Sequence, residues 1–195
     1  MLAHEYRDTL LSGEGRTEEE LRRALFTSEI GKVKREIKLR LINNADIRTL
    51  IDDQELSLST DYTQYLGTHI FPYLMMPDTI TDVGAYILFK VDQEDDNYFD
   101  NVRKQNDLMK VVTVEFMVLV HKEKLETDFG IERHDALGHI ITQLFAWNDK
   151  VVPFRMRCIQ NVEGITDNNF ATRTLIFEVQ MPNNLNNTRR VNAYE

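Results

Sequence analysis

Four carboxylates, Asp92, Glu94, Asp95 and Asp96, fall within five positions, directly after a run of aromatic and β-branched residues. Carboxylates at the end of a strand hold Mg²⁺ in phosphoryl-transfer and nuclease sites. A metal-dependent nuclease or phosphatase using Asp92, Asp95 and Asp96 is therefore the enzyme hypothesis for this chain. The spacing departs from an EF-hand, with no Gly at the sixth position and no Glu at the twelfth. Residues 46–100 carry 12 acidic and 2 basic side chains, so the lysines and arginines that would hold a phosphate are scarce there. The stretch 92–100 reads better as a solvated acidic loop between strands.

The histidines offer less. His134 and His139 lie about 140° apart around an expected helix and do not share a metal. His121 ends an expected strand, and all three read as solvent-facing or capping side chains. Cys158 is the single cysteine, which excludes an internal disulfide and a Cys-based zinc site. Lying between Arg157 and Ile159, it is expected to be a buried thiol rather than a nucleophile. The chain has no GxGxxG, no GxxxxGK[ST] and no GxSxG. No catalytic, cofactor-binding or metal-ligating residue is assigned, and the chain is expected not to be an enzyme.

Two segments instead look like surfaces for neighbours. The run FPYLMM presents Phe71, Tyr73, Met75 and Met76 between turn residues. It is either an adaptable Met-rich contact surface or a loop tucked under a sheet. After Pro182, which cannot donate a ladder hydrogen bond, comes NNLNNTRRVNAYE. Its apolar residues are few, and Leu185, Arg189, Arg190 and Tyr194 make it a candidate arm, locally basic against an acidic chain.

The elements that must position these residues follow from periodicity. Thr17 and Glu20 form a capping-box pattern opening a helix over 17–27. Ile30, Val33, Ile37 and Leu41 trace one helical face, and 45–52 reads as a further short helix. From 53 to 80 the period is poor. Strands are expected over 84–91 and 108–121, the second covered on both faces. A helix follows, with Ile131, Ala136 (or Asp135), Ile140, Leu144 and Trp147 as its stripe. RMRCIQNVEGI and ATRTLIFEVQM read as closing strands. Val114, Phe116, Val118, Ile140, Leu144, Leu175 and Phe177 form the expected core. The order fits an α+β fold: an antiparallel or mixed sheet with helices packed on one face, and an N-terminal helical segment.

At 195 residues the chain has the size of one domain with an added segment. Its net charge of −9 makes it a poor nucleic-acid clamp, although DNA could pass close by without sticking. No run approaches the ~20 apolar residues that span a bilayer, and Glu5 and Asp8 sit where a signal peptide needs a basic flank, so a cytoplasmic start is expected.

HIFPYLMMPD (69–78) followed by AYILFKVD (85–92) resembles bacteriophage tail terminator and tail-completion proteins, in which a short turn precedes a strand. VVTVEFMVLVHKE is similar to their long central strand, and IERHDALGHIITQLF to the helix after it. RTLIFEV is similar to their closing strand, and ADIRTLID to their opening helix. The resemblance covers 30–181, leaving 1–29 as an N-terminal helical extension and 182–195 as an extended arm. It implies a virion neck or tail subunit, assembled in the host cytoplasm. Such a subunit forms a homo-oligomeric ring, in these families a hexamer. The ring ends the tail tube, meets the tail tube protein and the head–tail connector, and lets DNA pass through its lumen without a membrane or cofactor.

Overall fold

The computed structural model describes residues 17–19, 29–74, 82–93, 109–146, 155–165 and 169–182. The chain divides into two compact units, 1–32 and 33–195. Four α-helices are described in full: α1 (Glu29–Asn43), α2 (Ala45–Ile51), α3 (Gln54–Ser57) and α4 (Arg133–Phe145). Short 3₁₀ turns lie at Tyr62–Tyr65 and Lys122–Lys124.

Among the described residues, five strands form one sheet in the order β1-β2-β3-β5-β4: β1 (Ile70–Phe71), β2 (Ala85–Gln93), β3 (Met109–His121), β4 (Arg157–Ile165) and β5 (Phe170–Pro182). β1 runs parallel to β2 and every other pair is antiparallel, so the sheet is mixed. The expected α+β architecture is the observed one.

β3 is the centre. It pairs with β2 from Val112 to Val120 and with β5 along its whole length. Burial alternates from Val111 to Val118 and becomes continuous only at Val118, Leu119 and Val120. The expectation of cover on both faces thus holds only for that end. On the helix-covered face, Phe116 stacks on Phe145 of α4 with ring centroids 5.0 Å apart. It also meets Phe89 of β2 at 5.9 Å and Phe177 of β5 edge-on at 5.7 Å. The opposite face carries a smaller cluster of Phe71, Tyr86, Leu88 and Leu119, with Leu74, Met117 and Phe170 against it.

Val33, Ile37 and Leu41 are buried along α1, as the periodicity predicts. Asn44 caps α2, its side chain accepting from the Ile47 N–H at 2.8 Å. Asp52 ends α2 in the left-handed region at φ 57°. Its carbonyl and carboxylate both receive Lys124, at 2.8 and 3.3 Å. Arg133, at the start of α4, donates to the carbonyls of Leu50 and Lys124 at 2.7 and 2.6 Å. These bonds tie the end of α2 to the start of α4.

Several expectations need correction. The helix stripe is rotated: α4 buries His134, Leu137, Gly138, Ile141 and Phe145, while Ile140 and Leu144 are only half-buried and Ile131 is exposed. Trp147 lies outside the described residues. The other five expected core residues, Val114, Phe116, Val118, Leu175 and Phe177, are fully buried. The acidic loop does not begin at 92, because Asp92 and Gln93 extend β2 against Thr113 and Val112. The stretch 53–80 holds α3, a 3₁₀ turn and β1, elements too short to show a period. Of the expected helix at 17–27 only 17–19 are described.

The rotated stripe has a measurable consequence. Phe145→Ala should cost ~3–5 kcal/mol in denaturant unfolding, and Leu144→Ala roughly 1 kcal/mol. Equal losses at the two positions would restore the sequence-based phase.

Candidate functional site

Three features of the described residues combine chemistry with position. The first joins α3 to the sheet. Asp53 caps α3, accepting from the N–H groups of Glu55 and Leu56, both at 2.9 Å. Its other oxygen lies 2.8 Å from Nε2 of His69, whose Nδ1 lies 2.9 Å from the Ala85 carbonyl. Both partners are oxygen atoms, so the ring is held between the cap of α3 and the backbone of β2. The ring stacks on Tyr86 at 5.4 Å. Burial pushes the Asp53 carboxyl up, but the Leu56 N–H, His69 and the Glu55 N–H together outweigh it and hold the group below its ordinary value. With every bond committed to holding α3 and β2, this pair is a staple. His69 and Asp53 escaped the sequence reading because 16 residues separate them and no motif marks either.

The second is a cluster at the start of α4. Its centre is His134, 0% exposed, with neither ring nitrogen in a hydrogen bond. Nδ1 lies 3.5 Å from a Glu132 oxygen. Nε2 lies 3.3 Å from Asp135 and 3.7 Å from Glu163 of β4. Arg173 of β5 donates to Asp135 and, at 2.9 Å, to Asn161. Gly138 lets α4 settle on the Arg173 stem, since a Cβ there would come within 2.6 Å of Arg173 Cδ. Glu132, the N-cap of α4, makes no side-chain capping bond. The expectation of a solvent-facing or capping histidine is wrong for His134, because the Phe116–Phe145 stack turns it toward the sheet. It holds for the other two: His139 is exposed and bonds Gln143, and His121 caps the 3₁₀ turn at 122–124.

The third is surface. β4 lies at one edge of the sheet and is exposed along nearly its whole length, including Ile159, Val162 and Ile165 at 42%, 46% and 78%. Its register shifts between Cys158 and Gln160, a bulge that leaves Ile159 out of the ladder. Cys158 is half-buried rather than buried; burial pushes its thiol up, partly offset by a hydrogen bond with the Gln160 backbone. α2 and α4 also flank an apolar groove of about 540 Å³, whose lining includes Phe129, Ile131, Asp46 and Asp135.

The residues singled out from sequence do not converge. Phe71 is buried in β1 and belongs to the core rather than to a contact surface, while Tyr73 beside it is exposed. Asp92 is not a free loop carboxylate. It pairs with Lys90 at 3.0 Å, and Lys90 also reaches Glu115 at 3.1 Å. The hydrogen bonds to Asp92 and then Glu115 hold the Lys90 ammonium above its ordinary value. Met75, Met76, Asp95, Asp96, Leu185, Arg189, Arg190 and Tyr194 lie outside the described residues. No helix of the described residues is long and apolar enough to cross a membrane.

The chain matches the YomW family model over residues 19–179. No curated protein matches it.

The Asp53 staple sets a pH dependence. A carboxyl lowered on folding stabilises the protein above its unfolded value, near 3.8, and that stability is lost as pH falls through the folded value. Melting temperature should therefore drop below about pH 4, and Asp53→Asn should flatten that part of the profile. An unchanged acid limb in the variant would remove Asp53 from the account.

Proposed function

This chain belongs to the YomW family, which is phage-related, and we propose that it is a structural subunit of the virion neck or tail. In this reading it assembles into a homo-oligomeric ring that ends the tail tube and joins it to the head connector. The observation that carries the proposal is β4. A nine-residue edge strand with Ile159, Val162 and Ile165 exposed is a template for pairing with another chain. A protein that stays monomeric blunts such an edge with charge, proline or cover. Beyond Arg157, β4 carries one charged residue, Glu163.

The acidic balance supports the same reading. A ring of subunits with net charge −9 would present DNA in its lumen with a repelling wall, favouring passage over binding. The 182–195 segment, with Arg189 and Arg190, supplies the opposite charge and fits an arm laid on a neighbour. Catalysis has no part in this role.

Light scattering of the purified protein should give a mass of about six subunits, the ring number of the families it resembles. Val162→Lys with Ile165→Lys, both on exposed side chains, should leave the melting temperature within a few degrees of wild type, since surface changes cost about 0.5 kcal/mol or less. The same pair should reduce the assembly to monomers. An unchanged mass in the double variant would take β4 out of the interface, and a strictly monomeric wild type at virion-assembly concentrations would sink the ring.

A further inference from the structure

The cluster around His134 poses a problem that the assembly role does not solve. A fully buried imidazole must satisfy at least one donor and one acceptor, and neither nitrogen of His134 has a hydrogen bond. Carboxylates surround it nonetheless, and ligand atoms of Glu132, His134 and Asp135 lie within 4.8 Å of one another.

We propose that this cluster is a divalent-cation site of the Zn²⁺ class, with His134 Nε2, Asp135 and Glu163 as ligands and Glu132 as the positioning residue. Tetrahedral ligands at about 2.0–2.1 Å from a zinc ion stand about 3.3–3.4 Å from each other. Nε2 stands 3.3 Å from Asp135 and 3.7 Å from Glu163. The far side of the ring also faces a carboxylate. A ligating histidine hands its other N–H to a carboxylate, which fixes the tautomer, and Nδ1 faces Glu132 at 3.5 Å. Ligating carboxylates are themselves anchored, and Arg173 anchors Asp135 while reaching Asn161.

Charge and access agree. Three carboxylates against the single guanidinium of Arg173 leave the cluster with two negative charges when His134 is neutral, the complement of a divalent ion. The imidazole is buried, while the Glu132 and Glu163 side chains are more than half exposed, so an ion reaches the site from solvent. The mixed imidazole and carboxylate donor set suits Zn²⁺ ahead of Mg²⁺ or Ca²⁺, which prefer oxygen alone.

The test is a titration of the metal-free full chain with Zn²⁺, and with Co²⁺ as the coloured probe, followed by calorimetry and visible absorption. Wild type should bind one ion with a Co²⁺ ligand-field spectrum. Glu163→Gln and Asp135→Asn should each weaken binding at least tenfold, and His134→Gln should abolish the spectrum. Glu132→Gln should weaken binding about 10–100-fold while leaving the spectrum in place, as expected of a group that orients a ligand. Glu163 is exposed, so its variant tests the site even if the buried His134 variant fails to fold. Absence of binding by wild type, or affinity unchanged in Glu163→Gln and Asp135→Asn, overturns the site. The titration reads metal binding and light scattering reads mass, so failure of the cation site and failure of the ring are told apart even though Glu163 lies on β4.

Discussion

The contact between Phe116 and Phe145 fixes how α4 is rotated about its own axis, and most of the chemistry of this molecule follows from that rotation. Phe116 sits mid-way along the central strand with Phe89 and Phe177 beside it, so the sheet offers α4 an aromatic floor. Once Phe145 stacks on that floor, Leu137 and Ile141 are drawn inward with it at helical spacing. The same turn carries His134 to the sheet side, beside strands β4 and β5. It leaves Ile140 and Leu144 half-exposed and brings Ile140 to the groove beside α2. A polar cluster and an apolar groove thus adjoin along one helix, with Asp135 common to both, because of one ring stack.

The strands and the fold class were legible because their signals are long. A 13-residue apolar β3 and the alternating β5 have few competing interpretations. The phase of α4 was not legible, for a physical reason. The helix carries apolar residues on two sides, one toward the sheet and one toward the groove, so two stripes compete. The buried stripe includes a histidine, which a search for apolar periodicity counts against it. Short elements were invisible for a different reason: β1 has two residues and α3 has four, below any period. β4 could be read as a strand, but its exposure follows from its place at the sheet edge, which no local pattern encodes.

Electrostatics divides the acidic chain into carboxylates that are committed and carboxylates that converge. Asp92 and Glu115 share Lys90, Asp52 receives Lys124 and Arg133, and Asp53 is consumed by α3 and His69. Around His134, by contrast, three acidic groups meet one guanidinium. The sequence drew attention to 92–96, where acidic residues are densest, whereas the convergent set comes from 132, 135 and 163, brought together by a helix start and an edge strand. Density along the chain is a weak guide to convergence in space.

The two borders of the sheet are unlike, and that asymmetry bears on symmetry. At one border stands the full length of β4; at the other, β1 covers only Ile87 and Leu88, and Phe89, Lys90 and Val91 have no strand neighbour on that side among the described residues. Two copies joined β4 to β4 would exhaust that border in a two-fold pair. A larger closed ring must set β4 of one copy against a different surface of the next, a heterologous contact repeated until it closes. Such a ring has a top and a bottom that differ, so each rim is free to meet a partner of its own kind.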